Sequence, residues 1–436
     1  MNKSVKDIDF TVVGDALEFA QIIANEFNSK AIIYERFRTA LVPIGEYQLE
    51  FVGTRKEVYT KNSRNPIVET GSLKDDIYRR DFTINSMAIS LNKINYGEFI
   101  DLLNGKTDLE NNIIRTPFNS IDTYNEDPLR MMRCLRFASQ LNFEIEEQSL
   151  KSIEILKDRI KIISQERITD EFFKILKSPT PSIGLNYLYE TGLLNIIFPE
   201  VAYLSGVDIV SKNNIHFAHK DVFKHTLQVL DNISTETENV WLRFAALLHD
   251  IAKPKTKKYI EGIGWTFYGH EEIGARWIKR FFRELKLPMQ HLDYVEKLVR
   301  LHQRPMTLVE EHITDSALRR LAAYAGNDLE DLLTLCKADI TTRSQKKVNK
   351  YLKNYEVVKQ KIIEVQQKDK LREFQSPVRG ETIMELCDIK PSRLVGFIKL
   401  KIEDAILEGI IPNNFEESYQ FFLENKDIWI VEFNNI

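Results

Sequence analysis

Two interleaved spacings in the stretch NEDPLRMMRCLRF, residues 125–137, constrain the fold of this 436-residue chain more than any other feature. With Asn125 as N-cap and Pro128 in the first turn, the stretch predicts a helix. An apolar stripe recurs every three residues, at Leu129, Met132 and Leu135. Beside it lies a charged set, at Asp127, Arg130, Arg133 and Arg136. Such a helix packs along one side and presents a carboxylate and cations along the other.

The charged side of this helix suits the Watson–Crick edge of adenine or cytosine. Asp127 can accept a hydrogen bond from the exocyclic amine while Arg130 donates one to the ring nitrogen. Guanine and uracil present the reverse pattern, so the pair would select ATP and CTP without a nucleic-acid template. Arg133 and Arg136 would then hold the triphosphate. The alternative is a solvated helix face on which Glu126 and Arg130 form an ion pair.

The composition is that of a foldable protein with several domains. The chain is too long for one core and suggests roughly two to four domains, and its 43% hydrophobic and 28% charged residues are ordinary. A formal net charge of -4 restricts any polyanion site to a local basic surface, and no DNA partner is expected. Three cysteines without metal spacing, and no apolar run of about 18 residues, predict a cytoplasmic protein without a membrane partner.

The N-terminal region predicts strands that carry carboxylates. In VKDIDFTVV, residues 5–13, a period of two places Asp7 and Asp9 on one face. Two carboxylates on a strand end suit a two-metal phosphoryl-transfer site with Mg²⁺, although most isolated Asp-x-Asp pairs are loop or cap residues. Glu50, on a predicted strand from Tyr47 to Val52, is a third carboxylate or part of an exposed strand face. A helix at 16–27 and a strand at 31–34 lie between them.

A further charged motif is RRDFTINSMA at residues 79–88, which follows Asp75 and Asp76. The motif combines two arginines and Asp81 with a strand-like run. Alone, it could be a charged surface turn.

Taken together, these motifs resemble class II tRNA nucleotidyltransferases, the CCA-adding enzymes, with bacterial poly(A) polymerases as near relatives. The resemblance rests on KDIDF, RRDFTIN, EDPLRMMRCLRF and the connector DLLNGKTDL at residues 101–109. ERITDEFFKIL from Glu166 and GLLNIIFPEV from Gly192 look like the neck of that family. The resemblance implies an α+β fold, with a polymerase-β-like nucleotidyltransferase palm built on a mixed sheet (residues 1–116) and a mostly helical, RNA-binding neck (117–201).

The family pattern also implies roles for single residues. Asp7 and Asp9 would bind Mg²⁺ and activate the tRNA 3′-hydroxyl. Glu50 stays a candidate third catalytic carboxylate because of its place on the strand, not because of the family pattern. Arg79 or Arg80 would contact the nucleotide phosphates. The nucleotide-selecting set would be Glu126, which orients Arg130, the base readers Asp127 and Arg130, and the phosphate-holding Arg133 and Arg136.

One departure from the family pattern concerns the triphosphate loop. The family places a Gly-Gly-x-Val-Arg-Asp loop just before the metal strand, where backbone amides and an arginine hold the triphosphate. Here Met1 is six residues before Asp7, which predicts a misplaced start or a fragment, reduced polymerising activity and a weakened head edge.

Four histidines and two aspartates mark a second region. His225, His249, Asp250, His270, His302 and Asp339 each lie on a segment with helical apolar periodicity. Imidazoles and carboxylates that converge in a helical bundle would bind a first-row divalent metal. A single histidine on such a helix is usually a satisfied core residue, but six residues in order favour the metal site.

This order resembles the HD-superfamily phosphohydrolase domain, at residues 202–345. The resemblance implies four metal ligands, His225, His249, Asp250 and Asp339. It places Lys253, His270 and His302 near the scissile phosphate or a second metal. The implied activity is hydrolysis of 2′,3′-cyclic or 3′-phosphate ends by a divalent metal whose identity is left open between Ni, Mn, Co and Mg.

The C-terminal tail, residues 346–436, is predicted to be helical. Its Lys-rich segment from Ser344 to Lys370 could follow the tRNA backbone, or could be a solvated amphipathic helix. Residues 380–408, with a helix start at Pro391–Ser392, look like a small helical cap.

The combined prediction is a tRNA nucleotidyltransferase that adds CCA from CTP and ATP with Mg²⁺. The alternatives are an enzyme that adds only A or poly(A), and a chain that retains only HD phosphohydrolase or RNA-binding activity.

Overall fold

The computed structural model describes residues 6–35, 38–60, 63–206, 211–212, 215–216, 221–261, 264–305, 315–341, 349, 352–353, 355–357, 359–362 and 376–434. The chain forms two compact units, residues 1–199 and residues 200–436. The predicted domain boundaries after residues 116, 201 and 345 stay predictions.

A four-stranded mixed sheet begins the first unit. It contains β1 (Asp7–Val12), β2 (Ile32–Tyr34), β3 (Thr39–Ile44) and β4 (Tyr47–Gly53), in the order β1-β4-β3-β2. Strand β1 pairs parallel with β4, and the other pairs are antiparallel. Helix α1 (Ala16–Glu26) places alanines at every fourth position on one face of the sheet, over Phe51 and Val42. The polar residues of β1 therefore lie on the other face.

The rest of the head is built from short elements. They are β5 (Arg55–Thr60), β6 (Ser63–Thr70), α2 (Leu73–Tyr78), β7 (Ala88–Ile89), β8 (Phe99–Ile100) and α3 (Gly105–Glu110). The strand-like prediction for the run after Asp81, residues 82–88, is wrong for most of that run, because Thr83–Asn85 forms a 3-10 turn and only Ala88–Ile89 pairs as a strand. The Asp81 carboxylate accepts from the Phe82 N–H and the Asn85 amide, and such local bonds compete with strand pairing.

A helical region completes the first unit. Its elements are β9 (Ile113–Ile114), α4 (Ser120–Glu126), α5 (Leu129–Leu141), β10 (Glu144–Ile145), α6 (Glu147–Leu156), α7 (Gln165–Leu176), α8 (Pro181–Glu190) and α9 (Leu194–Ile197). Helix α5 packs against α7 and α8. As predicted, its stripe of Leu129, Met132 and Leu135 is buried.

The predicted start of this helix is wrong. Asn125 is not an N-cap, because it lies inside α4. The chain is extended at Asp127 (φ -134°, ψ 101°) and α5 begins after Pro128. A residue before proline is pushed out of the α region, which explains the break. The Asp127 carboxylate then accepts a hydrogen bond from the Leu129 N–H at 3.1 Å.

The second unit is mostly helical. Helix α10 (Pro199–Ala202) lies at the division between the units, and the strands are β11 (Ser211–Lys212), β12 (Ile215–His216), β13 (Lys258–Ile260) and β14 (Gly264–Thr266). The helices are α11 (Val222–Ser234), α12 (Val240–Leu248), α13 (Lys253–Thr256), α14 (His270–Glu284), α15 (Leu292–Leu301), α16 (Asp315–Ala325) and α17 (Leu329–Ala338). Helix α12 packs against α11, α15 and α17, and α14 packs against α15.

Three helices end the chain: α18 (Gly380–Cys387), α19 (Arg393–Leu407) and α20 (Phe415–Asn434). They enclose a small core around Ile398, Ile402 and Phe422. The predicted helix start at Pro391–Ser392 is confirmed, since Ser392 is the N-cap residue of α19. Much of the Lys-rich segment from Ser344 to Lys370 lies outside the described residues. Among the helices that are described, none has the length and apolar character needed to span a bilayer.

Candidate functional site

The predicted carboxylates meet on the face of the sheet opposite α1. Asp9 lies beside Glu50 in the parallel pair of β1 and β4, and Asp7 lies two residues away on the same face. Burial raises the pKa of Glu50, and the neighbouring Asp9 and, more weakly, Asp7 raise it further, while Arg55 lowers it. Three carboxylates that repel one another fit a divalent cation, because the cation neutralises the repulsion.

The predicted phosphate-binding arginines of the head share one carboxylate. Arg79 donates through Nε and Nη2 to Asp76 Oδ1 at 2.9 and 2.6 Å. Arg80 donates through Nη2 to Asp76 Oδ2 at 3.3 Å and to Thr11 Oγ1 at 3.2 Å. Asp76 is only 1% exposed. Contact between either arginine and nucleotide phosphates stays a prediction.

Arg130 lies at the centre of the predicted base-reading set. Its Nη1 donates to Glu126 Oε2 at 3.0 Å and to the Thr123 carbonyl at 3.3 Å, and its Nη2 donates to the Arg79 carbonyl at 2.6 Å. The ion pair with Glu126 is therefore present. Arg130 is 7% exposed, whereas the Glu126 side chain is 42% exposed. The arginine of the pair is therefore buried, and the two residues lie on different helices rather than on one solvated helix face.

Asp127 lies at the junction of α4 and α5 rather than within a helix. Its Oδ1 accepts from the Leu129 N–H, and its Oδ2 is 3.8 Å from Nη2 of Arg167 on α7. Sequence reasoning did not identify Arg167 as a neighbour of Asp127, although Arg167 belongs to the ERITDEFFKIL motif.

The last two predicted arginines are both paired with carboxylates. Arg133 donates to Asp81 Oδ2, at 2.7 Å from Nε and 2.6 Å from Nη2. Arg136 Nε lies 2.7 Å from Glu171 Oε2, and both residues are buried. Sequence reasoning missed both carboxylate partners, because they lie far away along the chain. The triphosphate contacts of Arg133 and Arg136 stay predictions.

The second unit brings six predicted residues together as two groups of possible metal ligands. One group is His225, His249 and Asp339; the other is Asp250, His270 and His302. In each group, one ligand atom per residue lies within 4.8 Å of the others. The Asp250 carboxylate joins the groups, since Oδ2 is 3.1 Å from His249 Nε2 and Oδ1 is 3.1 Å from His270 Nε2.

Each of the four histidines turns Nε2 inward and fixes Nδ1 to an oxygen. Their partners are the Thr341 hydroxyl for His225, and the carbonyls of Ala246, Phe267 and Val299 for His249, His270 and His302, at 2.7–2.8 Å. A carbonyl can only accept, so Nδ1 carries the proton in these three. A neutral ring then directs the Nε2 lone pair into the cluster, as in metal-ligating histidines.

These lone pairs fit a divalent cation. His302 Nε2 and Asp250 Oδ1 are buried without hydrogen-bond partners among the described residues. Burial and the neighbouring His249 lower the pKa of His302 to about 3, so its Nε2 stays unprotonated. Burial opposes a charge on His249, but the Asp250 and Asp339 carboxylates together raise the pKa of His249. A proton on His249 could form hydrogen bonds only with the acceptors beside His249. Divalent cations could instead accept the lone pairs of both ligand groups.

Lys253 lies at the edge of this cluster. Its Nζ is 2.6 Å from Asp250 Oδ2, and its side chain is 20% exposed. Gln303 was not predicted, but its amide Nε2 lies 3.2 Å from His270 Nε2 and can donate to the lone pair there.

Three family models match the chain in succession. The poly A polymerase head domain matches residues 1–115. The probable RNA and SrmB-binding site of polymerase A matches residues 142–204, and the HD domain matches residues 222–343.

Among curated relatives, an A-adding tRNA nucleotidyltransferase of Deinococcus radiodurans is 32% identical over 276 residues, covering 62% of this chain and 60% of the relative. A protein of the same name from Aquifex aeolicus is 38% identical over 190 residues, covering 41% of this chain and 23% of the relative. A multifunctional CCA protein of Haemophilus influenzae is 32% identical over 289 residues, covering 63% and 66%. The chain thus spans less than two thirds of the length of each of these relatives.

Solved structures share the fold. A tRNA nucleotidyltransferase complexed with a primer tRNA and an incoming ATP analog has a TM-score of 0.57 at 24% identity, covering 82% of this chain and 92% of that chain. The Bacillus stearothermophilus CCA-adding enzyme in complex with CTP has a TM-score of 0.60 at 21% identity, covering 93% and 86%.

The head match contains the carboxylates of β1 and β4, and the HD match contains both ligand groups. The base-reading set at residues 126–136 lies between the first two matches. The predicted fold class and family resemblance are confirmed. The chain therefore carries a poly A polymerase head domain and an HD domain, and it is similar to tRNA nucleotidyltransferases in sequence and in fold.

Proposed function

We propose that residues 1–199 add C, C and A to the 3′ end of tRNA from CTP and ATP without a template. The observation that carries this proposal is the buried guanidinium of Arg130, fixed by Glu126 and by the Arg79 carbonyl. Its Nε–H and one Nη2 hydrogen donate to no other described residue. They supply donors for a base edge, and Asp127 at the adjacent junction supplies the acceptor.

Discrimination would follow from this fixed pattern. The ring nitrogen of adenine or cytosine accepts from Arg130, and the exocyclic amine donates to Asp127. Guanine or uracil would place donor against donor and acceptor against acceptor. Buried polar groups left unpaired cost about 1–3 kcal/mol each, which is enough to reject the wrong nucleotide.

The transfer step would take place at the carboxylate face of β1 and β4. The tRNA 3′-hydroxyl attacks the α-phosphate in line, a new P–O bond forms, and the bond to pyrophosphate breaks. Asp7, Asp9 and Glu50 would hold Mg²⁺, and one of these carboxylates would accept the hydroxyl proton. The bound Mg²⁺ would stabilise the negative charge on the phosphoryl group.

Addition of A alone is the second candidate. It is favoured by the names of the Deinococcus and Aquifex relatives, both A-adding tRNA nucleotidyltransferases. The pair at Asp127 and Arg130 admits both ATP and CTP, so it does not separate the two candidates.

The test uses tRNA that lacks the terminal CCA and tRNA that ends in CC, each with one labelled nucleotide and Mg²⁺. CCA addition requires CTP incorporation on the first and ATP incorporation on the second. Incorporation of ATP on the second tRNA alone would select A addition. An Arg130→Ala variant should lose the preference of ATP and CTP over GTP and UTP, and a retained preference would refute the base-reading assignment.

We further propose that the cluster around Asp250 is a metal-dependent phosphohydrolase site for 2′,3′-cyclic or 3′-phosphate ends of RNA. The support is the pair of ligand groups that share Asp250, with four histidines oriented by their Nδ1 bonds. Lys253 supplies a cation for a phosphate oxygen, and a bound divalent cation would supply an activated water.

Titration of the protein with Mn²⁺, followed calorimetrically, tests the metal site apart from activity. His249→Ala and Asp250→Ala should each abolish tight binding, and both should abolish hydrolysis of a 2′,3′-cyclic nucleotide. His291→Ala is the matched control, because His291 stacks on Trp241 at 4.1 Å and belongs to neither ligand group. Unchanged Mn²⁺ binding in Asp250→Ala would contradict the proposal.

A further inference from the structure

A single buried carboxylate, Asp76, holds two consecutive arginines at the end of α2. The Arg79 fork donates to Oδ1, and Arg80 donates to Oδ2. Asp76 therefore uses both oxygens on side chains that follow it by three and four residues. Helix α2 has only six residues, too few to be stable alone, so this clamp fixes where the helix ends.

The end of α2 is also the support of Arg130. Arg79 is the C-cap residue, and the last carbonyls of a helix have no partners within the helix. The Arg79 carbonyl accepts from Arg130 Nη2 at 2.6 Å instead. A hydrogen bond to a charged donor is short and directional, so a shift of this carbonyl would move or release the guanidinium.

The second arginine connects the same carboxylate to β1. Arg80 Nη2 donates to Thr11 Oγ1 at 3.2 Å, and Nη1 donates to the Asn85 carbonyl at 3.1 Å. Because side chains alternate along a strand, Thr11 shares the face of Asp7 and Asp9. Asp76 thus supports two contacts. One joins Arg80 to Thr11 beside the carboxylate face, and the other joins the Arg79 carbonyl to the guanidinium of Arg130.

We propose that Asp76 is a positioning residue for nucleotide selection, acting through the Arg79 carbonyl on Arg130 and through Arg80 on β1. The inference rests on the proposed nucleotidyl transfer and names a residue that sets its specificity. Asp76 itself contacts no base. It keeps the donor of the base-reading pair at a fixed distance from the carboxylates at which the α-phosphate reacts.

The test compares Asp76→Asn with Ser72→Ala. Ser72 caps the other end of α2, where its hydroxyl accepts from the Asp75 N–H, and it contacts neither arginine. Both changes weaken the same helix, but only Asp76→Asn disturbs the clamp. The readout is the ratio of kcat/KM for ATP over UTP and for CTP over GTP on tRNA acceptors, since a purely structural loss lowers all four values together.

We expect Asp76→Asn to lower these ratios by at least about tenfold, the value of one hydrogen bond to a charged group, and Ser72→Ala to leave them unchanged. In an Arg130→Lys background, Asp76→Asn should change the ratios no further. If Asp76→Asn does not fold, Asp76→Glu keeps the charge, displaces it by one methylene and is expected to lower the ratios as well.

A wild-type preference that Asp76→Asn and Asp76→Glu both retain would overturn the inference alone. A wild-type chain without preference for ATP and CTP would overturn the proposed function, and the inference with it.

Discussion

At the scale of single residues, Arg136 illustrates how burial changes the role of a charged side chain. Its side chain is 11% exposed and that of Glu171 is 4% exposed. Burial lowers the pKa of Arg136, and the nearby Glu171 carboxylate opposes this. The ion pair joins α5 to α7. It also occupies the guanidinium of Arg136, which was predicted to hold the triphosphate.

Removal of Glu171 should therefore be costly. Glu171→Ala leaves the buried guanidinium unpaired, which is expected to lower the free energy of unfolding by about 3–5 kcal/mol. Asp170→Ala on the same helix removes an exposed ion pair with Lys174 and should cost less than about 1 kcal/mol. Urea unfolding of both variants measures the difference, and equal small losses would show that the buried pair is dispensable.

Cys134 predicts a pH dependence of stability. Burial raises the pKa of its thiol to about 12, above the value of about 8.5 for a free cysteine. The folded chain therefore keeps a proton that the unfolded chain releases. The protonated thiol therefore makes its full contribution to the free energy of unfolding below about pH 8.5, and this contribution is lost as the pH rises toward 12.

Cys134→Ala should accordingly show a shallower fall in the free energy of unfolding between about pH 8.5 and 10.5 than the wild type. Urea unfolding at several pH values gives this slope. Parallel curves for the two proteins would argue against a raised thiol pKa.

At the scale of elements, two helical glycines should respond oppositely to alanine. At Gly396 in α19 an added Cβ meets nothing within 4 Å, so Gly396→Ala should raise the free energy of unfolding by about 0.5–1 kcal/mol. At Gly184 in α8 the Cβ would lie 2.6 Å from Ile175 Cγ2 and 3.1 Å from Ser139 Cβ. Gly184→Ala should therefore destabilise the protein. Thermal melts of both variants give the change in melting temperature relative to the wild type. Changes of the same sign in the two variants would contradict this prediction.

The break between α4 and α5 is an element whose position the sequence did not reveal. The apolar stripe of α5 was correctly predicted, because residues at every third or fourth position share a helix face. The start was misplaced, because Pro128 was interpreted as a first-turn residue within one helix that began at Asn125. Its steric effect on Asp127 ends α4 and places the carboxylate at a junction.

At the scale of the whole molecule, the two sets of site residues lie in different compact units. The carboxylate face and the base-reading set belong to residues 1–199, and both ligand groups belong to residues 200–436. We expect Asp250→Ala to abolish phosphohydrolysis while nucleotide addition keeps its wild-type kcat/KM, and Asp9→Ala to do the reverse. Both activities are measured on the same preparations, and loss of both in either variant would show that the two sites depend on each other.

The patterns that could be predicted without a structure are those of residue types recurring at a fixed spacing. Strand alternation predicted a common face for Asp7 and Asp9, and helical periodicity predicted the buried stripe of α5. It also predicted the helices that contain His225 and His270 and those that end just before His249 and His302. These patterns are local, since a period of two or of about 3.6 residues is set by backbone geometry. The family was recognisable because its motifs are themselves short and local.

The pairing of the charged residues, by contrast, follows from packing in three dimensions. Arg133 pairs with Asp81, Arg136 with Glu171, and Arg130 with the Arg79 carbonyl, across separations of about 35 to 52 residues. Spacing in a sequence says nothing of partners brought together by folding, because their distance is fixed by how the helices and the sheet pack. Burial then decides whether an arginine is an available cation or one half of a closed ion pair.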